Sequence, residues 1–97
     1  MNPEMMKGKC VEVSNVMKAM AHPQRLMILC YLADEEKTVS DLVERCHISQ
    51  SQISQFLNRM QREKLLTVRK EGQFSYYSIA EKKITKLILS MQKIFCE

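Results

Sequence analysis

The chain has 97 residues, 45% hydrophobic and 27% charged, an ordinary globular composition that excludes a disordered chain and fits one domain. Two glycines and two prolines are too few for a collagen-like, linker-rich or turn-dense all-β protein, so most of the chain is expected to be helical. The net charge is +4, and no stretch is apolar enough for a transmembrane helix or an N-terminal signal region.

The first predicted helix shows apolar Val13, Val16, Met17 and Met20 at helical spacing and stops near Ala21, because Pro23 restricts the residue before it. Pro23 opens a second helix, which buries Leu26, Leu29, Cys30 and Ala33 and ends in Asp34-Glu35-Glu36, expected as a solvated loop. His22 fits as a cap before Pro23. Thr38-x-x-Asp41 has the form of a capping box and starts a helix of about eight or nine residues with the stripe Val39, Leu42, Val43 and Cys46. After a short connection holding Ile48, Ser49 and Gln52 form a second expected box. The helix that follows buries Ile53, Phe56, Leu57 and Met60. Its other side shows Ser51, Ser54, Gln55, Asn58 and Arg62, with Gln52 and Arg59 on the flank. Thr67 to Lys70 and Phe74 to Ile79 are β-prone runs around Glu71-Gly72-Gln73, a hairpin with its glycine at the turn. Ile84, Leu87, Ile88, Met91 and Phe95 then mark a last helix.

Charge placement says more than net charge. Residues 45–70 carry six bases and one acid, a balance of +5, whereas the rest of the chain carries nine bases and ten acids, a balance of −1. A concentrated basic region suits a polyanion. Two capped helices followed by a hairpin and a helix make a winged helix-turn-helix, a mainly α fold with a β-hairpin wing. Its second capped helix is predicted to enter the major groove of double-stranded DNA, with Ser49, Gln50, Ser51, Gln52, Ser54, Gln55 and Asn58 toward base edges. Arg59 and Arg62 lie further along, where phosphates would be, and Arg69, Lys70 and Gln73 flank the hairpin tip. As a single domain of residues 1–97, the chain divides into helices at about 10–21 and 81–96, a reader at about 38–66 and a wing at about 67–79.

No phosphate-binding glycine loop, HExxH pair or catalytic constellation appears, so an enzyme is not expected. Cys46 and His47 are adjacent, but neighbours near a helix end point apart and no third group orients them. Cys10, Cys30, Cys46 and Cys96 show no zinc or thioredoxin spacing and are expected to be reduced thiols of a cytoplasmic protein. Cys46 continues a core stripe. From spacing alone, Cys30 reads as a small core residue and Cys96 as a tail thiol.

Three segments carry a family resemblance. Lys18-Ala19-Met20-Ala21-His22-Pro23-Gln24-Arg25-Leu26 is similar to the opening of ArsR-type winged-helix repressors, Ile48 to Leu57 to their recognition segment, and Gly72 with Tyr76-Tyr77-Ser78-Ile79 to their wing. Phe56 departs from the family, which often has His there. The resemblance implies a homodimer binding an imperfect palindrome. The dimer would be built from the first and last helices through Val13, Val16, Met17, Ile84, Leu87, Ile88, Met91 and Phe95. The family's two common metal sites are not matched. Thr38-Val39-Ser40-Asp41-Leu42 lacks the cysteine of one, and Glu81, Lys83, Ile94 and Glu97 lack the imidazoles of the other. No metal or other cofactor is therefore expected. Cys30 and Cys96 occupy the positions of the sensing pair in the sulfide- and persulfide-responsive branch of the family, which implies a redox switch with reactive sulfur species as effector. A regulator with a metal signal or none, and an interaction domain without DNA, are the alternatives.

Overall fold

Caps and prolines set the helix starts. The computed structural model describes residues 2–96, in the order α1 (Pro3–Lys7), α2 (Cys10–Met20), α3 (Pro23–Asp34), α4 (Val39–Cys46), α5 (Gln50–Arg62), β1 (Leu66–Glu71), β2 (Phe74–Ile79) and α6 (Lys82–Phe95). His22 Nδ1 accepts from the Gln24 backbone N–H at 3.2 Å, and Pro23 sits in the first turn of α3. Thr38 and Asp41 form the reciprocal box at the start of α4, with bonds of 3.0 and 3.1 Å. The second expected box is incomplete. Ser49 Oγ accepts from the Gln52 N–H at 3.2 Å, but the Gln52 carbonyl turns to the Ser49 hydroxyl at 3.3 Å, which satisfies it locally and leaves the Ser49 backbone unbonded to it.

Helix α5 ends in a Schellman arrangement. Lys64 takes φ 65° where glycine is usual, the Leu65 N–H reaches the Met60 carbonyl at 2.9 Å, and the Lys64 N–H reaches that of Gln61 at 3.0 Å. Met60 and Leu65 are both buried, supplying the apolar contact that accompanies this cap. Strands β1 and β2 pair antiparallel from Leu66 with Ile79 to Glu71 with Phe74. Gly72 at φ 60° starts the two-residue turn, which lets the strands keep their right-handed twist.

The core gathers Ile28, Leu29 and Leu32 of α3, Leu42 and Cys46 of α4, Ile53, Leu57 and Met60 of α5, and Ile84 and Ile88 of α6. Helix α3 is the hub, packing on α2, α4, α6 and β2. Three features depart from the sequence reading. Helix α1 was not anticipated; Asn2 caps it and it buries nothing. Lys37 pairs with Tyr77 through backbone bonds of 3.0 and 2.8 Å, adding a third rung beside β2 that ties the wing to the body. The acidic run is exposed, as expected of a solvated segment, but it is not unpaired: Asp34 and Glu35 flank the buried Lys37 ammonium and Glu36 reaches Arg69.

The chain is elongated, 47 × 30 × 20 Å, with a radius of gyration of 14.2 Å. A compact chain of this length would have about 12.5 Å. The exposed surface is 7148 Å², above the about 5,800 Å² expected for a compact monomer of this mass. The excess comes with helices that find little to pack on. Helix α2 buries only Ala19 and Met20, leaving Val11 and Met17 exposed, while Leu89, Ile94 and Phe95 of α6 are exposed too. Ile84 and Ile88 do not share that outer surface. They are 4% and 0% exposed and fill the protomer's own core, so the expectation that they face a partner is corrected. The expected stripe is two-sided: Leu87 and Met91 are half-buried, and only Phe95, at 83%, stands fully outside.

Candidate nucleic-acid interface and thiol groove

Helix α5 is held by burying Ile53, Leu57 and Met60, all fully enclosed. A period of 3.6 then forces the intervening residues outward. Ser49, Gln50, Ser51, Gln52, Gln55, Asn58, Arg59 and Arg62 are exposed, while Ser54 is half-buried and stands nearer the packed side than expected. Phe56 is half-buried and its ring lies 5.2 Å from that of His22, which ties α5 to the start of α3. Before α5, His47 adopts a left-handed conformation at φ 55° and Ile48 is buried, so the link between α4 and α5 is short and anchored. The wing tip presents Lys70, Gly72 and Gln73, all exposed, next to Phe74, which is 57% exposed.

The basic residues differ in how much of their charge is free. Arg59 pairs with Glu63 at 3.4 Å, and Glu63 also pairs with the buried Arg25 of α3. Arg69 is held by Glu36 at 2.6 Å and by Glu71, and its guanidinium lies 4.6 Å from the centre of the Tyr76 ring. The Glu36 and Glu71 hydrogen bonds push Arg69 further toward its charged form, and Arg69 in turn lowers Glu36. Among the described residues, Arg45, Arg62, Lys64 and Lys70 have no carboxylate within ion-pair distance. In the sequence Glu36 reads as part of a solvated acidic loop, Glu71 as part of the hairpin turn and Glu63 as the lone acid of the basic quarter, none of them as a partner of an arginine.

The cysteines fall into three settings. Cys46 is buried at 6%, and burial pushes its thiol up. Cys10 is exposed on α2 with its Sγ 3.1 Å from the Met6 carbonyl. Cys30 and Cys96 line one groove of about 740 Å³ between α3 and the end of α6. Cys30 is half-buried and Cys96 is exposed. Burial raises the Cys30 thiol, the Gln92 side chain opposes this, and negative charge on Cys96 adds to the rise. Both are free thiols. Among the described residues no three His, Cys, Asp or Glu side chains gather as a metal site; Glu97 lies outside those residues. Among them, too, no helix is long and apolar enough to cross a membrane.

Residues 22–68 match the family described as bacterial regulatory protein, arsR family. Over 97 residues the chain is 34% identical to the transcriptional activator HlyU of Vibrio cholerae, covering 100% of this chain and 90% of that one. It is 35% identical to the biofilm growth-associated repressor of Agrobacterium fabrum over 94% of this chain and 78% of that one. The crystal structure of the transcriptional repressor BigR from Xylella fastidiosa superposes with a TM-score of 0.92 at 31% identity, covering 100% of this chain and 99% of that one. Fold, helix order, wing and full-length similarity agree: the chain belongs to the ArsR family of bacterial transcriptional regulators and is not an enzyme.

Proposed function

We propose that the protein is a cytoplasmic, homodimeric regulator that binds an imperfect palindrome in double-stranded DNA and is switched by the Cys30–Cys96 thiol pair in response to reactive sulfur species or oxidants. The observation that carries the switch is the placement of both thiols in one groove, Cys30 on α3 and Cys96 at the cap of α6. The dimer is supported by the about 1,300 Å² of surface beyond that of a compact monomer, more than the about 800 Å² per partner of a standard interface. Exposed Met17 and Phe95, with half-buried Val13, Val16, Leu87 and Met91, supply its apolar face.

On DNA, Ser49, Gln50, Ser51, Gln52, Gln55 and Asn58 face the bases, with Ser54 behind them. Arg62, Lys70 and Gln73 meet the backbone or an adjacent groove. Arg59 and Arg69, each already paired with carboxylates, orient α5 and the wing.

In the switch, the exposed Cys96 thiolate takes a sulfur from a persulfide donor, releasing the donor thiolate. Cys30 then attacks Cys96 Sγ and expels hydrosulfide. An unmodified Cys30 closes a disulfide, and a Cys30 that carries its own sulfur closes a trisulfide. A plain disulfide requires Cα atoms about 4.4–6.8 Å apart, and each inserted sulfur widens that range. The bridge ties α6 to α3 and changes the spacing of the two reading helices across the dimer. The bridged state then binds operator less tightly, and by linkage operator slows bridging.

The test begins with duplexes selected from a random pool on reduced protein. Glutathione persulfide should add the bridge and release the duplex. Cys30→Ser and Cys96→Ser proteins should bind but not respond, and Cys46→Ser should bind and respond. Release of a Cys30→Ser protein by the persulfide would overturn the paired-thiol switch.

A further inference from the structure

The thiol groove differs chemically from another concavity of the chain. That second cavity, of about 600 Å³, is lined by Lys18, Arg25, Arg59 and Lys64 together with Glu12, Glu63 and Glu81. Among the described residues the thiol groove has no lysine or arginine in its lining, although the chain is basic overall. Leu26, Met27, Tyr31 and Leu89 lie with the two cysteines, and among the described residues its one ionic side chain is that of Asp34, 81% exposed. A donor bearing carboxylates finds no lysine or arginine among the described lining residues and meets a like charge at Asp34, which the Lys37 ammonium 3.9 Å away only partly offsets. Moving such a group against apolar walls without a partner is unfavourable. A donor with alkyl arms gains by burying them against the same walls.

We propose that this groove selects neutral, apolar organopolysulfides, of the dialkyl trisulfide class, as the sulfur donors that bridge Cys30 and Cys96. The inference rests on the thiol-pair reading above and adds the identity of the donor. The reaction needs no further oxidant. The Cys96 thiolate attacks the central sulfur of the trisulfide, forming one S–S bond and expelling one alkylthiolate. The Cys30 thiolate attacks that same sulfur, breaking its bond to the second alkylthio group, which leaves as thiolate. The products are a Cys30–S–S–S–Cys96 bridge and two alkylthiolates, so the two electrons that oxidise the cysteines reduce the donor. The alkyl arms sit against the leucines and Met27 while the central sulfur is presented to both thiols.

The experiment compares dipropyl trisulfide with glutathione trisulfide on the reduced wild-type protein. Peptide mass mapping follows formation of the bridge, one sulfur heavier and two hydrogens lighter than the paired thiols. Each rate is divided by that donor's rate with free N-acetylcysteine, which removes intrinsic reactivity. The normalised rate should favour the dipropyl donor by about tenfold or more, the low end of what one methylene is worth in an apolar pocket. Met27→Lys and Leu89→Lys, both at positions 45% exposed, should narrow that ratio by speeding the glutathione donor. Equal normalised rates, a faster glutathione donor, or no bridge with either donor would overturn the proposal. If the bridge forms with the expected preference but the bridged protein holds DNA as tightly as the reduced one, the donor selection stands and the thiol switch falls.

Discussion

Replacing Arg62 and Arg69 separately by alanine should give opposite results in a salt titration of DNA binding, although both are exposed arginines of the basic quarter. Arg62 has no carboxylate partner among the described residues, whereas Arg69 is held by Glu36 and Glu71. Each phosphate neutralised adds roughly −0.9 to the slope of log K against log salt. Two copies of Arg62 in a dimer therefore account for a slope of about −1.8. Between about 50 and 200 mM salt, that share corresponds to an about twelvefold loss of affinity which wild type suffers and Arg62→Ala escapes. Arg69→Ala should leave the slope unchanged or steepen its loss at low salt, because it strips the cation from two carboxylates facing the DNA. Glu71→Gln should make the slope more negative by freeing Arg69. Fluorescence anisotropy on one selected duplex, repeated at five salt concentrations, measures all three. An Arg69→Ala slope shallower by the same amount as that of Arg62→Ala would show that Arg69 leaves its carboxylates for phosphate, and the division drawn here would be wrong.

Three further outcomes concern stability and assembly. The Thr38 backbone N–H holds the Asp41 carboxyl below its ordinary value, so its contribution is present above the unfolded carboxylate range and is lost as pH falls through the folded value. Urea midpoints of wild type should thus drop more steeply than those of Asp41→Asn as pH is lowered below about 4; parallel curves would remove the box as the source. Ile88→Ala should cost about 2–5 kcal/mol of stability because it empties a fully buried site. Phe95→Asp should barely change the melting of the protomer but give monomers in ultracentrifugation at micromolar concentration, and a persisting dimer would move the interface elsewhere.

The local signals in the chain were the readable ones. Pro23, the Thr38–Asp41 pair, the Ser49 cap and Gly72 each act within three or four residues, and each element they announce is present. The polar side of α5 was readable for the same reason, since three buried residues at helical spacing fix where the others point. What stayed hidden depends on partners far away in sequence. Arg69 meets Glu36 across 33 positions, and Arg25 meets Glu63 across 38. Lys37 meets Tyr77 through backbone groups, which leave no mark on residue choice. The last helix misled for another reason: a single apolar stripe was read as one face, although Ile84 and Ile88 turn inward while Phe95 faces outward. The groove around Cys30 and Cys96 needed two helices to meet before its lack of lysine and arginine among the described lining residues could be seen.

The ion pair from Arg25 to Glu63 gives α3 a second meaning. Arg25 and Cys30 stand five residues apart on one helix, about 7.5 Å along its axis at 1.5 Å per residue. One end of that short rod lines the thiol groove, and the other is bolted through Glu63 to the end of the helix that presents Gln52 and Gln55. In the proposed switch, a chemical signal therefore has no loop to cross and no flexible hinge in which to dissipate. Rotation of α3 by a bridge at Cys30 would be delivered to α5 as a rigid lever delivers it. Sensitivity would be set by the stiffness of a turn and a half of helix and by one ion pair between the buried Arg25 guanidinium and the exposed Glu63 carboxylate. In the proposed switch this arrangement makes one helix serve as both detector and drive shaft.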